Sequence, residues 1–371
     1  MISELISAVM GIILGVILND PISKAYLFLK KKIIKYYYKF IRKKAKTAGS
    51  GSMDTHGNFI FGNRQTSIHI LDGDGHREYQ PENMQFDIVD KEPDFGMMKN
   101  EVEYFHSITV KEIEEKAKNG ENIPWNGDTL SLRKYAISRT PNSEEFRIRL
   151  ELVINPYYYT YAAIMHLNDP CPDTGKTLKQ YIDEYSFEAV GSYVLPNSVG
   201  MIIQVVTKDG YTFFSRRSDV SGFRPGESDV SIVEGLSDQD IINHTLALDK
   251  AMIRAFQEEI CDVDDRDNEI TPSVLGFAFD RQYNQWNIIG VIHCTLSCEE
   301  IIRRNASGLS GGWELKLEPV LFDIEHTMQY LSTHKMWDMG IVTLYLSLVN
   351  DGNSRNRIDK YILKHLQTRS T

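Results

Sequence analysis

The segment IINHTLALDKAMIRAFQEEIC, residues 241–261, is the most informative stretch of the chain for its fold. Apolar side chains recur in it at steps close to a helical turn, so they lie near one face of a helix. These residues are Ile242, Leu246, Ile253, Phe256 and Ile260. Residues four apart share a helix face, so Arg254 can pair with Glu258. The pattern predicts an amphipathic helix over residues 241–260.

Strands are predicted on both sides of this helix. Residues 200–206 (GMIIQVV) and 211–217 (YTFFSRR) flank an Asp-Gly turn, which is typical of a hairpin. Residues 146–154 alternate between apolar and polar upstream, and two further strands near 274–279 and 286–296 precede a late helix at 339–348. Since these elements lack a regular βαβ alternation, we expect an α+β fold with a mixed sheet flanked by helices.

The N-terminus begins with an apolar run, LISAVMGIILGVIL at residues 5–18. Counted from Ile2, a helix there spans about 25 Å, close to the ~30 Å hydrocarbon core, which predicts a transmembrane helix. A secretory signal peptide and a buried core helix are the alternatives. Gly11 and Gly15 form a G-x-x-x-G step suited to close helix packing, although glycine is also common in membrane segments.

A basic block, residues 22–46, follows with ten Lys/Arg and no acid. Its apolar residues fall on one helical face, so it predicts a juxtamembrane helix on an anionic leaflet or a coiled-coil stem. The positive-inside rule then places the N-terminus outside and the rest of the chain in the cytoplasm, which is a single-pass topology. Four cysteines in this length agree with a reducing compartment.

Composition and charge divide the 371 residues into a cationic head and an acidic body. Hydrophobic residues make up 42% and charged residues 25%, which excludes wholesale disorder. Residues 1–50 carry about +8 and the remainder about −18, for a net charge of −10. An acidic body argues against sequence-blind binding of a nucleic acid polymer.

The predicted domain organisation has four parts. An anchor and basic helix at 1–46 precede a Gly/Ser linker at 47–53. Residues 54–130 form a polar, β-containing segment to which the sequence assigns no role. Residues 131–371 form the main domain.

Candidate ligand contacts lie at the end of the predicted hairpin and in the loop after it. Arg216 and Arg217 suit phosphate oxygens, or else they form a strand-end ion pair. Phe223 and Arg224 offer a base stack and a phosphate contact. The Tyr-rich segment 157–161 is interpreted as sheet packing in preference to a base-stacking platform.

The segment RAFQEEIC, residues 254–261, resembles the core of the Nudix box, Arg-Glu-apolar-x-Glu-Glu-x-Gly. In that family a loop–helix–loop presents glutamates that hold Mg²⁺ against a nucleotide diphosphate. The resemblance is incomplete, because Ala255 replaces the first glutamate and Cys261 the closing glycine, while Asp240 and Leu246 stand where glycine and glutamate are expected. Glu258 and Glu259 remain as a weak Mg²⁺ site or as a solvated helix face, so the sequence favours a non-enzyme.

The anchor, the basic block and a degenerate Nudix-like domain together resemble the membrane-tethered effectors of CBASS anti-phage systems, whose soluble part is known as a SMODS-associated Nudix domain. Residues 135–168 (YAISRT, FRIRLELVI, YYYTY, MHLN) are similar to that group as well. The resemblance implies a Nudix-like fold that binds a cyclic di- or trinucleotide from a partner nucleotidyltransferase. It further implies that the protein oligomerises, disrupts the bacterial inner membrane and kills the cell, with Arg216, Arg217, Phe223, Arg224 and Arg254 as candidate ligand contacts.

Two other functions remain open at this point. One is a membrane-tethered Nudix hydrolase of a nucleotide diphosphate. The other is a tethered, non-catalytic scaffold that binds another protein through residues 54–130.

Overall fold

A computed structural model describes part of the chain, beginning at Ser52. The described residues are 52–54, 57–79, 83–89, 95–139, 146–184, 193, 195–219, 223–242, 244–263, 269–307 and 316–366. The expected apolar helix, the basic helix and the Gly11–Gly15 step lie outside these residues.

Strands and helices alternate irregularly along the described residues. The strands are β1 (Ser52–Met53), β2 (Asn58–Phe61), β3 (Arg64–Asp72), β4 (Met84–Val89), β5 (Asp128–Arg139), β6 (Phe146–Pro156), β7 (Ser198–Val206), β8 (Tyr211–Arg216), β9 (Ser228–Asp229), β10 (Ile232–Gly235), β11 (Ile241–Ile242), β12 (Thr245–Leu246), β13 (Ile270–Asp280), β14 (Gln285–Cys294) and β15 (Lys316–Leu321). The helices are α1 (Lys99–Lys118), α2 (Tyr157–Met165), α3 (Leu178–Glu184), α4 (Leu248–Glu259), α5 (Cys298–Ser307), α6 (Ile324–Thr333), α7 (Asp338–Asn350) and α8 (Arg355–His365).

The largest sheet has ten strands, eight of them in the order β1-β2-β3-β13-β14-β7-β8-β15, with β9 pairing β8 and β10 pairing β7. Strands β7 and β14 run parallel, whereas the other pairs in this sheet are antiparallel, so the sheet is mixed. A smaller sheet has the order β4-β6-β5. Strands β11 and β12 form a two-stranded hairpin before α4.

Strand β7 lies at the centre of the large sheet and is buried along its whole length. Successive side chains of a strand point to opposite faces. Met201 and Ile203 accordingly face the core formed with α4 and the small sheet, whereas Ile202 faces the core formed with α6, α7 and α8. The single polar side chain in the middle of β7, Gln204, donates to Ser231 Oγ at 3.0 Å.

The large sheet therefore separates two cores. Met252 and Phe256 of α4 fill the first core, together with Leu130 of β5 and Leu150 of β6. Helix α7 fills the second core and is buried on all sides, which suits its nearly continuous apolar sequence.

Strands β3 and β13 approach each other closely where β3 ends. Gly73 has a φ of 112°, a conformation that glycine adopts readily. A Cβ at Gly73 would lie 2.4 Å from the carbonyl oxygen of Leu275, and a Cβ at Gly276 would lie 2.7 Å from that of Asp72. This contact joins residues 58–72, a part of the chain without an assigned role, to the large sheet.

The predicted fold class needs one correction. The described residues form an α+β fold with a mixed sheet, but none of their helices is both long and apolar enough to cross a bilayer. Helix α1 has 20 residues but is largely polar. Helix α7 is apolar but has 13 residues, which span only about 20 Å. The fold class with a transmembrane helix is therefore wrong for the part of the chain that the structure describes.

Several local predictions are confirmed, and two are wrong. The hairpin at 200–217 is present as β7 and β8, and the late helix is α7. The helix predicted over 241–260 begins only at Leu248, because His244 has a positive φ of 62° and the preceding residues form β11 and β12. Residues 157–161, interpreted as sheet packing, instead begin helix α2 directly after Pro156.

Candidate ligand-binding site

Arg254 connects α4 to the loop before it. Its guanidinium donates to both carboxylate oxygens of Asp240 at 2.9 Å and to the carbonyl oxygen of Gly235 at 3.2 Å. It also donates to Glu258 at 2.7 Å, as the spacing predicted, and lies 3.6 Å from Glu234. Arg254 thus uses its fork of donors to fix the loop 235–240 onto the helix.

Asp240 is the buried partner in this arrangement. Its carboxylate accepts the backbone N–H of Ser237 at 3.0 Å and so closes a capping box around the short turn Asp238–Asp240. A carboxylate therefore holds the position at which the Nudix pattern expects glycine.

The other departures from that pattern are packed into the core. Ala255 is completely buried beside Phe256 on the inner face of α4, and Cys261 and Leu246 are buried as well. A glutamate at position 255 or 246 would be buried among apolar side chains, which is costly without a partner. Burial raises the pKa of the Cys261 thiol to about 12, so this thiol stays protonated at neutral pH.

Two carboxylates flank Arg254 on the strand and on the helix. Burial raises the pKa of Glu234, the nearby Arg254 opposes this, and Glu258 adds to the increase. Glu258 itself is half exposed and paired with Arg254. Glu259 is the following residue of α4 and also has an interaction partner. Among the described residues, no group of three His, Cys, Asp or Glu side chains is arranged to hold a metal ion.

Arg216 and Arg217 are consecutive residues at the end of β8, but their side chains interact with different residues. Arg216 is 49% exposed and lies 3.7 Å from Asp219. Its charge opposes the rise that burial causes in the pKa of the Tyr330 hydroxyl on α6. Arg217 is 20% exposed and lies 3.7 Å from Asp229. Its charge opposes the rise that burial causes in the pKa of the Tyr157 hydroxyl on α2. The structure therefore does not bring the two arginines together as one phosphate clamp.

Arg224 is a structural residue of the loop before β9. Its side chain is only 3% exposed, and its guanidinium donates to the two oxygens of Asp229 at 2.6 and 3.0 Å. It also lies 4.1 Å from the centre of the Trp337 ring, as a cation–π pair. Phe223 packs edge-on against Tyr283 at 4.7 Å. Asp229 thus faces two guanidinium groups, of which Arg217 is the more accessible.

An aromatic cluster near Arg217 was not predicted from the sequence. Tyr157 lies at the start of α2, and the centre of its ring is 6.1 Å from the ring centre of Trp125 and 6.1 Å from that of Tyr161. Trp125 is 62% exposed, the most exposed large hydrophobic side chain among the described residues. A lone tryptophan in a polar stretch gives no periodic signal, so only the tertiary structure shows it beside α2.

A small cavity with a mixed polar and apolar lining lies near the start of β7. Ser131, Asn155 and Asn197 line part of it, and its volume is about 20 Å³. This volume accommodates a water molecule but not a nucleotide.

Comparisons with known proteins give little guidance. No family model and no curated protein matches the chain. Among solved structures, the chain is similar to DR0079 from Deinococcus radiodurans, with 12% sequence identity and a TM-score of 0.29. That match covers 39% of this chain and 80% of the other. A likeness at this TM-score carries no argument about fold or activity.

Proposed function

We propose that the body of this protein is a Nudix-like module that binds a cyclic di- or trinucleotide without hydrolysing it. In this proposal the protein is an effector of a bacterial anti-phage system of the CBASS type. A partner nucleotidyltransferase makes the ligand, and ligand binding drives oligomerisation, disruption of the inner membrane and cell death.

The proposal that the ligand is not hydrolysed rests on the residues that occupy the Nudix-box positions in and before helix α4. A Nudix hydrolase needs several glutamates converging on Mg²⁺ from one helix. Here Ala255 and Leu246 occupy two of those positions in the apolar core, and Glu258 is paired with Arg254. The helix retains its position and its arginine, but its inner face contributes to packing and not to catalysis.

The ligand class follows from the resemblance and is supported by the chemistry of one surface. Trp125 and Tyr157 supply aromatic faces with ring centres 6.1 Å apart, and Arg217 supplies a guanidinium whose charge acts on the Tyr157 hydroxyl. Phosphate and a nucleobase are the two groups that such side chains recognise.

The proposed place of action is the bacterial inner membrane, with the body on the cytoplasmic side. The apolar run 5–18 and the ten Lys/Arg of residues 22–46 support this location from the sequence. Assembly into oligomers rests on the resemblance alone.

Isothermal titration calorimetry on the purified full-length chain tests the proposal. Cyclic di-AMP, cyclic di-GMP and cyclic tri-AMP would be titrated in EDTA and again in Mg²⁺. We expect saturable binding of one of them in both buffers, since no metal is needed to hold the ligand. Absence of binding by a chain that melts cooperatively would contradict the proposal.

A pair of arginine variants separates specific binding from general charge effects. Arg217→Ala should weaken binding at least about tenfold, because it removes a charged hydrogen-bond donor to phosphate. Arg357→Ala, in the exposed first turn of α8, removes the same charge elsewhere and should leave the affinity unchanged.

A further inference from the structure

Asn155 lies near the end of β6 and is completely buried. Its backbone carbonyl oxygen accepts the hydroxyl of Thr129 at 2.9 Å. Its side-chain nitrogen, Nδ2, donates to Thr160 Oγ1 in helix α2 at 3.3 Å. Its side-chain oxygen, Oδ1, has no hydrogen-bond donor among the residues that the structure describes. A buried amide oxygen without a donor is costly, so this atom needs a partner.

A neighbouring hydroxyl group determines which way the amide of Asn155 faces. Thr160 Oγ1 donates its single proton to the carbonyl oxygen of Asn197 at 3.0 Å. Toward Asn155 this hydroxyl oxygen can therefore only accept, and the amide must present its NH2 group. With the amide turned over, Oδ1 would face an oxygen that has no further proton to give. Oδ1 is thus the atom of Asn155 that is left without a donor.

The side chain of Asn155 lines the cavity near the start of β7. Ser131, Asn197 and Tyr193 are also part of the lining, and the volume of the cavity is about 20 Å³. About 10–15 Å³ is enough for a water molecule, and cavities that stay dry have apolar walls. This cavity is large enough for water and has polar groups in its wall.

The amide and the hydroxyl nearest to Asn155 in this wall have protein partners. Asn197 Nδ2 donates to the carbonyl oxygens of Leu132 and Leu195, both at 2.9 Å, and Asn197 Oδ1 accepts the backbone N–H of Leu132 at 2.8 Å. The Ser131 hydroxyl donates to the carbonyl oxygen of Asn197. A hydroxyl oxygen that donates can still accept, so Ser131 Oγ and Asn155 Oδ1 are both able to take a proton from a ligand.

We propose that this cavity binds one structural water molecule, which donates one hydrogen bond to Asn155 Oδ1 and the other to Ser131 Oγ. Water is the ligand that offers two donors within this volume. A cation is disfavoured, because none of the described residues in the lining is acidic and Arg133 is one of them. The proposal is independent of the cyclic nucleotide.

The bound water completes a network that joins the two sheets. Ser131 and Asn155 belong to β5 and β6 of the small sheet, Thr160 belongs to α2, and Asn197 immediately precedes β7 of the large sheet. The carbonyl oxygen of Asn197 already accepts the hydroxyls of Ser131 and Thr160. The water adds a link between β5 and β6 just before α2 begins, and so helps to hold this helix on the sheet.

Oxygen-17 magnetic relaxation dispersion of the solvent tests this site, because it counts the water molecules that leave a protein slowly. We would compare the full-length parent with Asn155→Leu, which has a similar shape but no acceptor and should fold. The parent should hold one slowly exchanging water molecule more than Asn155→Leu. Asn119→Leu makes the same change at the exposed residue after α1 and should leave the count unchanged.

Equal counts in the parent and in Asn155→Leu would overturn the proposal, and so would an equal decrease in Asn119→Leu. If Asn155→Leu does not melt cooperatively, a high-resolution crystal structure of the full-length parent decides. Electron density for a water molecule within hydrogen-bond distance of Asn155 Oδ1 would support the proposal. A well-ordered Asn155 with no such density beside Oδ1 would overturn it.

Discussion

Arg254 shows how a residue can match a functional pattern and yet serve the fold. Its helix position was predictable from the sequence, and so was its pairing with Glu258. Its main partner was not, because Asp240 is fourteen residues away and reaches Arg254 only through the turn at 237–240. Spacing rules describe contacts within a helix and carry no information about contacts between a helix and the preceding loop.

Replacing Arg254 with Ala should mainly affect stability. It leaves the buried carboxylate of Asp240 without its bidentate partner, and we expect the free energy of unfolding to fall by about 3 kcal/mol. Glu258→Gln removes only a half-exposed pair four residues apart and should cost about 0.5 kcal/mol. Urea denaturation of both variants checks this. Equal losses in the two would contradict the structural role of Arg254.

Asp280 should make the stability of the fold depend on pH. It is fully buried and accepts hydrogen bonds from Ser67 Oγ, Trp337 Nε1 and the backbone of Gln282. Burial raises its pKa to about 6, although these hydrogen bonds oppose the shift. An unfolded chain releases this proton near pH 4. Between about pH 4 and pH 6 the folded chain keeps a proton that the unfolded chain has lost, so the stability contributed by Asp280 falls as pH rises.

Comparison of the parent with Asp280→Asn isolates this effect. The parent should lose more unfolding free energy than Asp280→Asn between pH 4.5 and pH 7. Asp359, whose pKa burial also raises to about 6, is present in both chains and cancels in the comparison. A difference between the two chains that stays constant over this pH range would contradict the prediction.

At the scale of elements, the sequence predicts those whose apolar pattern is strong. The buried strands β7, β13 and β14 and the core helix α7 all lie close to their predicted positions. The start of α4 and the nature of residues 157–161 were not predictable in the same way. A positive φ at His244 delays the start of α4. The backbone contacts of Tyr157 and Tyr158 with residues 126 and 127 help to make residues 157–161 helical. Both features depend on the tertiary structure.

The junction between β3 and β13 gives a prediction at this scale. Gly73 and Gly120 both have positive φ, at 112° and 73°, so alanine is strained at either position. Only Gly73 also meets backbone atoms, since its Cβ would lie 2.4 Å from the carbonyl oxygen of Leu275, whereas Gly120 has open space around it. Gly73→Ala should therefore cost at least about 2 kcal/mol and Gly120→Ala about 1 kcal/mol.

Thermal and urea unfolding of the two glycine variants measure this difference. Gly120→Ala controls for backbone strain without a steric conflict. A cost at Gly73 no greater than at Gly120 would show that β3 and β13 do not approach as closely as described.

The whole molecule unites residues that the sequence assigned to separate parts. Strands β2 and β3 belong to residues 54–130 but lie in the same sheet as β13 and β14. The sequence does not reveal this arrangement because strand pairing across 200 residues leaves no local periodicity. For the same reason, the proximity of Trp125 to α2 and of Arg217 to Tyr157 emerges only from the folded chain.

The central claim is that this body binds a cyclic oligonucleotide and leaves it intact. Its most direct test is equilibrium dialysis of the full-length chain with the bound cyclic nucleotide in Mg²⁺, followed by mass spectrometry of the recovered ligand. Our account predicts that the ligand is retained by the protein and recovered with its mass unchanged. Recovery of linear or mononucleotide products, or free passage of the ligand across the dialysis membrane, would contradict it.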